Sequence, residues 1–365
     1  MKLVVVAVIA AACSSGSATP AHDDPPSTAT VATLAQDATY TKLCAPCHGA
    51  AGTGYAADHA PSLVNPTFLD SASDDYLHRA IGMGRPGTSM PGYAKHLGGP
   101  LDDPAIDRLV ALLRARGPLV KSLPPVGIGD AEKGAPLYLQ LCKACHGDTT
   151  TRGEAPHLAN AQFLAIASDA FIKYAIVNGR PGTKMEAFAQ KITSDQIDDI
   201  VAAIRQVNRP SAPKEERLPA PTGKEPLVIN PAGKAPSFAT REDKYVPVDQ
   251  VYKALAAKQK MIIIDARPPT DWMRVHITGA VSIPYHDMKR LDEVPNDGTW
   301  VIAYCACPHH LSGIVADELR KRGYKHAVVL DEGIFEWQRR NYPVVAAPGV
   351  VAPPKEPAAA PGTIQ

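Results

Sequence analysis

The sequence predicts a multidomain chain in which two all-α domains of similar sequence precede one α/β domain with a parallel sheet. Two segments repeat each other at a constant spacing, and the last third alternates continuous apolar runs with helical patterns. Proline-rich stretches separate these parts. The chain has 365 residues, which is enough for two or three domains.

The two all-α segments are related by duplication. Their first halves align at an offset of 98 positions, and their second halves align at an offset of 95. The paired residues include Tyr40 with Tyr138, Cys44 with Cys142, Cys47 with Cys145, His48 with His146, Arg85 with Arg180 and Met90 with Met185. Agreement at so many positions indicates an internal repeat. Each copy is predicted to begin with a helix, over 31–43 and 130–141, and to end with an amphipathic helix.

The segments and their separators give a predicted organisation with seven parts. They are a signal peptide (1–12), a tether (13–30), a first helical domain (31–118), a second helical domain (128–209), a proline-rich linker (210–240), an α/β domain (241–346) and a disordered tail (347–365).

The beginning of the sequence predicts export. Lys2 precedes an apolar run from Leu3 to Ala12, which is too short for a membrane span but suits a signal peptide. Ala10-Ala11-Ala12-Cys13 resembles a lipobox, so Cys13 is a candidate lipidation site, with ordinary cleavage near Ala12 as the alternative. We therefore expect a protein of the periplasm or cell envelope, in contact with the membrane only through a lipid anchor.

The charge pattern argues against a nucleic-acid partner. The formal net charge is +1, and no basic stripe with interleaved aromatic residues occurs. Without such a stripe, binding to a phosphate backbone has no electrostatic basis.

Each copy of the repeat carries a C-x-x-C-H motif, at 44–48 and at 142–146, which is typical of covalent haem attachment. A thioredoxin-like redox pair would follow a strand, and a zinc site would need a second pair of ligands, so both alternatives are disfavoured. The sequence therefore predicts two haem c groups. The candidate residues are Cys44, Cys47, Cys142 and Cys145 for attachment, and His48 and His146 as proximal ligands.

These motifs and their surroundings resemble class I cytochromes c over residues 31–117 and 128–208. The resemblance implies a small all-α fold around the haem and a methionine as the second iron ligand, which pairs His48 with Met90 and His146 with Met185. Met83 is a rival in the first copy, but its partner in the second copy is Asn178. Further alternatives are His59, His78, His96 and His157, for which surface or hydrogen-bonding roles are favoured.

The resemblance also implies a proline carbonyl that accepts a hydrogen bond from each haem histidine. Pro61 and Pro156 occupy the matching positions. One departure concerns the first helix, where Gly134 fits the family pattern but the first copy has Gln36, which predicts a looser helix contact there.

The third segment shows the pattern of a buried parallel sheet. Its continuous apolar runs predict strands at Met261–Ile264, Val301–Tyr304 and Ala327–Leu330, and helices are expected near 248–258, 312–322 and 333–340.

This segment resembles the rhodanese family. The motifs that carry the resemblance are Ile264-Asp265-Ala266-Arg267-Pro268, the run from His276 to Pro284, Tyr304-Cys305, the run from Leu330 to Trp337, and Tyr342-Pro343-Val344. The resemblance implies that Cys305 carries a persulfide, cradled by backbone N–H groups at the start of the following helix.

The loop after Cys305 departs from the family pattern. With Ser312 as the serine that starts the helix, the loop is one residue longer than usual and Leu311 replaces an arginine that would pair with an anionic donor. Cys307 could attack a sulfur on Cys305 or pair with it, and His309 or His310 could replace the arginine when protonated. Three alternatives therefore remain. They are a working sulfur site, an inactive rhodanese-like module, and a metal site formed by Cys305, Cys307, His309 and His310.

The favoured function is a dihaem electron carrier outside the cytoplasm, because two protein ligands on each iron leave no position for substrate. Its expected partners are redox proteins such as a respiratory oxidase, a reductase or other cytochromes. The first alternative is a sulfur-handling oxidoreductase or sulfurtransferase, in which Cys305 takes sulfane sulfur from an anion and the haems accept its electrons. The second alternative is a cytochrome with an inactive binding module, so enzymatic activity is left open.

Overall fold

The structure, a computed structural model, describes residues 33–117, 122–123, 125–207, 216–306 and 309–355. The predicted signal peptide and tether, the candidate lipidation site Cys13, and Cys307 lie outside these residues. Residues from Ala32 onward belong to one compact unit. Among the described helices, none is long and apolar enough to cross a membrane.

The first copy of the repeat is all-α, as predicted. A 3₁₀ turn at Leu34–Gln36 is followed by α1 (Ala38–Leu43), α2 (Ala45–His48), α3 (Pro66–Ser71), α4 (Asp74–Met83) and α5 (Asp103–Arg114), with a further 3₁₀ turn at Lys95–Leu97 between the last two. Side-chain caps set the starts of α1, α3, α4 and α5, and Asp37, for example, accepts from the N–H of Tyr40 at 2.7 Å. The predicted apolar face of α5 is buried at Ile106, Leu109, Val110 and Leu113.

The second copy repeats this order with α6 (Ala131–Leu141), α7 (Lys143–His146), α8 (Ala161–Ile166), α9 (Asp169–Asn178) and α10 (Ser194–Val207). Its first helix differs, because α6 is continuous and crosses α10 very closely. A Cβ atom on Gly134 would lie 1.9 Å from the carbonyl oxygen of Asp199. The first copy has Gln36 at the matching position and a broken first helix, which agrees with the looser contact predicted there.

The duplication is also visible in side-chain contacts. Arg114 of α5 donates to the carbonyl oxygen of Leu69 at 2.6 Å and pairs with Asp74. Arg205 of α10 makes the same contacts in the second copy, with Leu164 at 2.6 Å and with Asp169. The last helix of each copy is therefore fixed in the same way to the end of its third helix and the start of its fourth.

The third domain is α/β with a five-stranded parallel sheet, as predicted. Its elements are β1 (Tyr245–Val246), α11 (Val248–Ala256), β2 (Ile262–Asp265), α12 (Pro269–Trp272), β3 (Val275–Ile277), β4 (Val281–Ser282), a 3₁₀ turn (Lys289–Glu293), β5 (Val301–Tyr304), α13 (His310–Lys321), β6 (Ala327–Leu330), α14 (Gly333–Arg339) and β7 (Val344–Ala346). The parallel strands lie in the order β1-β6-β5-β2-β4, while β3 and β7 form a separate antiparallel pair.

The described parts of the predicted linker and tail are packed. Residues 216–240 lie against the α/β domain, where Ile229 bridges to Met261 and the N–H of Leu218 donates to the carbonyl of Met273 at 2.7 Å. After the α/β domain, the carbonyl of Lys355 in the predicted tail accepts from the N–H of Arg152 in the second helical domain at 2.9 Å. These contacts hold the segments that flank the α/β domain against the folded domains.

Candidate functional site

The first C-x-x-C-H motif lies at the turn between α1 and α2. Cys44 ends α1, and α2 presents Cys47 and His48 on its short single turn. His48 is 6% exposed, and its Nδ1 donates to the carbonyl oxygen of Pro61 at 2.8 Å, as predicted. Burial lowers the pKa of His48, which favours the neutral imidazole. Because Nδ1 carries the proton, Nε2 has the lone pair that an iron ligand needs.

The second motif has the same geometry in a more open setting. Nδ1 of His146 donates to the carbonyl oxygen of Pro156 at 2.7 Å, as predicted. Cys145 is exposed and His146 is half-buried, whereas Cys47 and His48 of the first copy are half-buried and buried. The two sites therefore share their internal geometry and differ in what covers them.

The loops that carry the candidate methionines are also alike. The backbone carbonyl of Met90 accepts from the N–H of Arg85 at 2.8 Å, and the N–H of Met90 donates to Thr88 Oγ1 at 3.1 Å. In the second copy the carbonyl of Met185 accepts from Arg180 at 2.7 Å, and its N–H donates to Thr183 Oγ1 at 3.1 Å. Both methionine side chains are partly buried against the core.

The rival ligands have other contacts. Met83 Sδ accepts a hydrogen bond from Gln162 Nε2 at 3.0 Å. His157 Nε2 donates to the carbonyl of Asp148 at 2.7 Å, and His78 lies 3.5 Å from Asp107. His59 and His96 lie in the loop after α2 and in the second 3₁₀ turn.

The residues present fit a haem c group in each copy. Cys44, Cys47, Cys142 and Cys145 are free thiols. Arg180 gives further support, because its half-buried guanidinium hydrogen-bonds to Thr67 Oγ1 at 3.2 Å and to the carbonyl of Gly179. Partial burial lowers the pKa of Arg180 to about 10. An anionic group such as a haem propionate would compensate this partly desolvated charge.

The two copies contact each other through matching residues. Nδ2 of Asn65 donates to the carbonyl of Pro181 at 2.9 Å, and Nδ2 of Asn160 donates to that of Pro86 at 2.8 Å. The rings of Tyr76 and Phe171 stack between them with centroids 4.8 Å apart. Because both members of each pair are related by the repeat offset of 95, the interface is pseudo-twofold. It joins the two segments that lead into the methionine loops.

The candidate sulfur site lies at the end of β5. Cys305 is fully buried, and its Sγ is 3.2 Å from Ser312 Oγ. The expected helix start at Ser312 is wrong, because α13 already begins at His310, after His309 adopts a left-handed backbone with φ of 80°. Leu311 is therefore a buried residue of the first turn rather than part of a longer loop.

The two histidines after Cys305 have different partners. His309 Nε2 lies 2.6 Å from Asp331 Oδ1, within the third domain. His310 faces the first copy of the repeat, with its Nδ1 3.6 Å from Cys47 Sγ and 3.7 Å from Asp58 Oδ2. The structure thus brings His310 to the first haem motif instead of grouping both histidines around Cys305. No sequence signal marked Asp58 for this contact.

Known families match all three domains. The family described as cytochrome c oxidase, cbb3-type, subunit III matches residues 32–113 and 129–202, and the rhodanese-like domain family matches residues 248–340.

Three curated relatives match parts of the chain. The cbb3-type cytochrome c oxidase subunit CcoP of Azospirillum sp. (strain B510) is 26% identical over 46% of this chain and 60% of its own. Subunit FixP of Bradyrhizobium diazoefficiens is 30% identical over 38% of this chain and 49% of its own. The probable adenylyltransferase/sulfurtransferase MoeZ of Mycobacterium tuberculosis is 34% identical over 24% of this chain and 23% of its own.

The chain spans less than two thirds of the length of each of these relatives. The family matches imply covalently bound haem c and an electron-carrying cytochrome. Since they cover both copies of the repeat and the α/β segment, the chain consists of tandem c-type cytochrome domains followed by a C-terminal rhodanese-like domain.

Proposed function

We propose that this protein is an extracytoplasmic electron carrier with two haem c groups, one in each cytochrome domain. The observation that carries the proposal is the repetition of one site geometry. In both copies a C-x-x-C-H histidine donates to a proline carbonyl, and a methionine sits in a loop closed by the same backbone hydrogen bonds.

The proposed axial ligands are His48 with Met90 and His146 with Met185. The hydrogen bond from Gln162 to Met83 Sδ supports Met90 over its rival, because it ties that sulfur to the second domain. Two protein ligands on each iron leave no vacant position, which favours electron transfer over chemistry at the metal. The pseudo-twofold interface between the methionine loops supports passage of electrons between the two domains.

The proposed partners are other redox proteins. Two relatives are named as subunits of a cbb3-type cytochrome c oxidase, which makes a respiratory oxidase the first partner to test. Export by the signal peptide and lipidation at Cys13 belong to the same proposal. The mass of the mature N-terminal peptide tests both, because cleavage before Cys13 with added lipid differs from cleavage without it.

Haem content tests the central claim. The full-length protein should contain two haems per chain, and the double variants Cys44→Ala/Cys47→Ala and Cys142→Ala/Cys145→Ala should each contain one. A wild-type protein with a single haem, or a double variant that keeps two, would contradict the proposal. Ascorbate reduction of both haems, followed by electron transfer to an added oxidase or cytochrome, tests the carrier role.

A second function is sulfur carriage by Cys305. It is supported by the place of this thiol at the end of β5, buried beside Ser312, as well as by the match to rhodanese-like domains. Incubation with thiosulfate or polysulfide, followed by mass spectrometry, should add one sulfur atom to Cys305 and none to a Cys305→Ser variant. Absence of this sulfur from the wild-type protein would favour the inactive binding module.

A further inference from the structure

The first haem motif and the loop of the candidate sulfur site are in direct contact. His310 begins α13, and its Nδ1 is 3.6 Å from Cys47 Sγ. Ser312 stands two residues further along the same helical turn, with its Oγ 3.2 Å from Cys305 Sγ. One turn of helix therefore separates the candidate sulfur carrier from a sulfur atom that becomes part of the haem attachment.

Buried hydrogen bonds surround this contact. The hydroxyl groups of Tyr93 and Tyr285 lie 3.1 Å apart, and both donate to the carbonyl of Leu43, at 2.9 and 3.1 Å. Leu43 is the residue before Cys44. Thr270 Oγ1 donates to the carbonyl of Gly92 at 2.7 Å. Since both tyrosines are 5% exposed or less, the first cytochrome domain is docked on the rhodanese-like domain through a buried, specific interface.

A metal ion is a poor explanation for the groups at this contact. Cys47, Asp58 and His310 place their ligand atoms within 4.8 Å of one another, which is close enough to hold an ion. However, haem attachment converts the Cys47 thiol into a thioether and leaves two strong ligands, whereas a structural zinc site needs four. The contact therefore suits transfer between the two domains better than metal binding.

Within the part of the chain that the structure describes, the second haem motif has no such cover. Cys145 and its neighbour Ala144 are exposed, and so is Leu139 on α6. Another domain of the chain covers the first motif, whereas the second motif faces outward. This asymmetry leaves the second motif as the one that an external partner can reach.

We propose that Cys305 is the site where hydrosulfide is oxidised and that its electrons enter the first cytochrome domain across the His310–Cys47 contact. The Cys305 thiolate and HS⁻ form a new S–S bond and give Cys305–S–S⁻. The S–H bond of HS⁻ breaks and its proton goes to water. Two electrons leave one at a time, and two oxidised haems in one chain are the acceptors. This inference rests on the proposed two-haem carrier.

The surroundings of Cys305 favour hydrosulfide over a larger anion. The thiol has no exposed surface, so a small donor needs less rearrangement around it than a bulky one. Leu311, a buried apolar residue of the first turn of α13, offers no charge to an anionic donor. A small anion with a single charge needs less compensating charge and less space than a larger one.

Anaerobic mixing of the oxidised full-length holoprotein with sodium sulfide tests the proposal. Haem reduction is followed at the α-band, and the quenched protein is alkylated and mapped by mass spectrometry. We expect two haems reduced for each sulfur atom found on Cys305. In Cys305→Ser we expect no added sulfur and a rate of haem reduction lower by about tenfold or more. Equal rates in the two proteins, or sulfur on Cys305 without haem reduction, would overturn the proposal.

His310 acts as a positioning residue, and His309 supplies the matched control. His310→Asn should slow haem reduction by sulfide and shift the reduction potential of the first haem, because the imidazole lies against the Cys47 sulfur. His309→Asn should change neither, since His309 faces Asp331 and asparagine tolerates its left-handed backbone. The inference is overturned when both variants reduce at the wild-type rate with unshifted potentials.

Ascorbate separates the two possible failures. When ascorbate reduces both haems of every variant but sulfide does not act through Cys305, the sulfide inference fails and the carrier stands. When the protein holds fewer than two haems that ascorbate can reduce, the proposed function itself fails.

Discussion

At the scale of single residues, Met90 and Met83 are the two candidate methionine ligands of the first proposed haem. Met90 lies in a loop that the second copy reproduces around Met185, whereas Met83 ends α4 and accepts from Gln162. Loss of a thioether ligand lowers the reduction potential, because the sulfur stabilises the reduced iron.

We therefore predict that Met90→Leu lowers the potential of one haem by on the order of 0.1 V, within the span of about 0.8 V that axial ligands control. The near-infrared band from sulfur–iron charge transfer should lose half its intensity. Met83→Leu is the control, since it removes the bond to Gln162 and should leave potential and band unchanged. An unchanged potential in Met90→Leu, with a fall in Met83→Leu, would reverse the assignment.

His286 provides a pH prediction at the same scale. Its Nδ1 is buried without a hydrogen-bond partner among the described residues. Burial and, to a smaller extent, the charge of nearby Lys42 in the first cytochrome domain lower the pKa of His286 to about 4, although Asp287 opposes them. Since the unfolded chain would bind this proton at the ordinary pKa near 6.5, the unfolded state holds more protons between those two values. The stability of the folded state therefore falls as pH falls through this window, by up to about 3 kcal/mol.

The His286→Gln variant isolates this effect. We expect the thermal midpoint of the wild-type holoprotein to drop more than that of the variant between about pH 7 and about pH 5. His310 has a raised pKa and contributes in the opposite direction, so the difference between the two proteins is the relevant quantity. Parallel curves for both proteins would show that His286 does not titrate in this range.

At the scale of secondary-structure elements, the crossing of α6 and α10 depends on one glycine. The backbone carbonyl of Asp199 occupies the space beside Gly134, at 1.9 Å from an ideal Cβ. Gly134→Ala must push the helices apart, and we expect a cost of about 1–3 kcal/mol.

Gly313→Ala is the matched control for this prediction. Gly313 lies inside α13, and its Cβ would meet no atom within 4 Å. Alanine there should be neutral or stabilise by about 0.5–1 kcal/mol through its helix propensity. Thermal unfolding of the three holoproteins provides the comparison, and equal midpoints would refute the close-crossing argument.

Elements with a strong periodic pattern were predictable from the sequence. The strands Val301–Tyr304 and Ala327–Leu330 begin and end where their apolar runs do. The start of α13 was not predictable, because the left-handed backbone of His309 lets the helix begin before Ser312, the serine that the family pattern marks.

Contacts between domains could not be predicted from the sequence either. Cys47 and His310 are 263 positions apart, and neither residue carries a pattern that pairs it with the other. The proline carbonyls at Pro61 and Pro156 were predictable, since each belongs to the same short motif as its histidine and is repeated in both copies.

At the scale of the whole molecule, the interface between the cytochrome domains is the proposed route for electrons between the two proposed haems. Each half is anchored by an asparagine with two roles. Asn65 Oδ1 caps α3 by accepting from the N–H of Phe68, while its Nδ2 donates to Pro181. Asn160 caps α8 through Phe163 and donates to Pro86. An aspartate at either position keeps the oxygen that caps the helix but lacks the N–H group that donates to the other domain. The Asn→Asp substitution therefore tests the domain contact without removing the helix cap.

We predict that the double variant Asn65→Asp/Asn160→Asp loosens this interface. Each carboxylate would face a carbonyl oxygen that has lost its donor, which costs about 1–3 kcal/mol per site. Electron exchange between the haems, followed after pulsed reduction of the holoprotein, should become slower, while both potentials and the helix content stay unchanged. Asp102→Asn is the control, because it alters only the cap of α5 at Ala105 and should not affect the exchange rate. A wild-type exchange rate in the double variant would mean that electrons do not pass through these paired loops, and each haem would then need its own external partner.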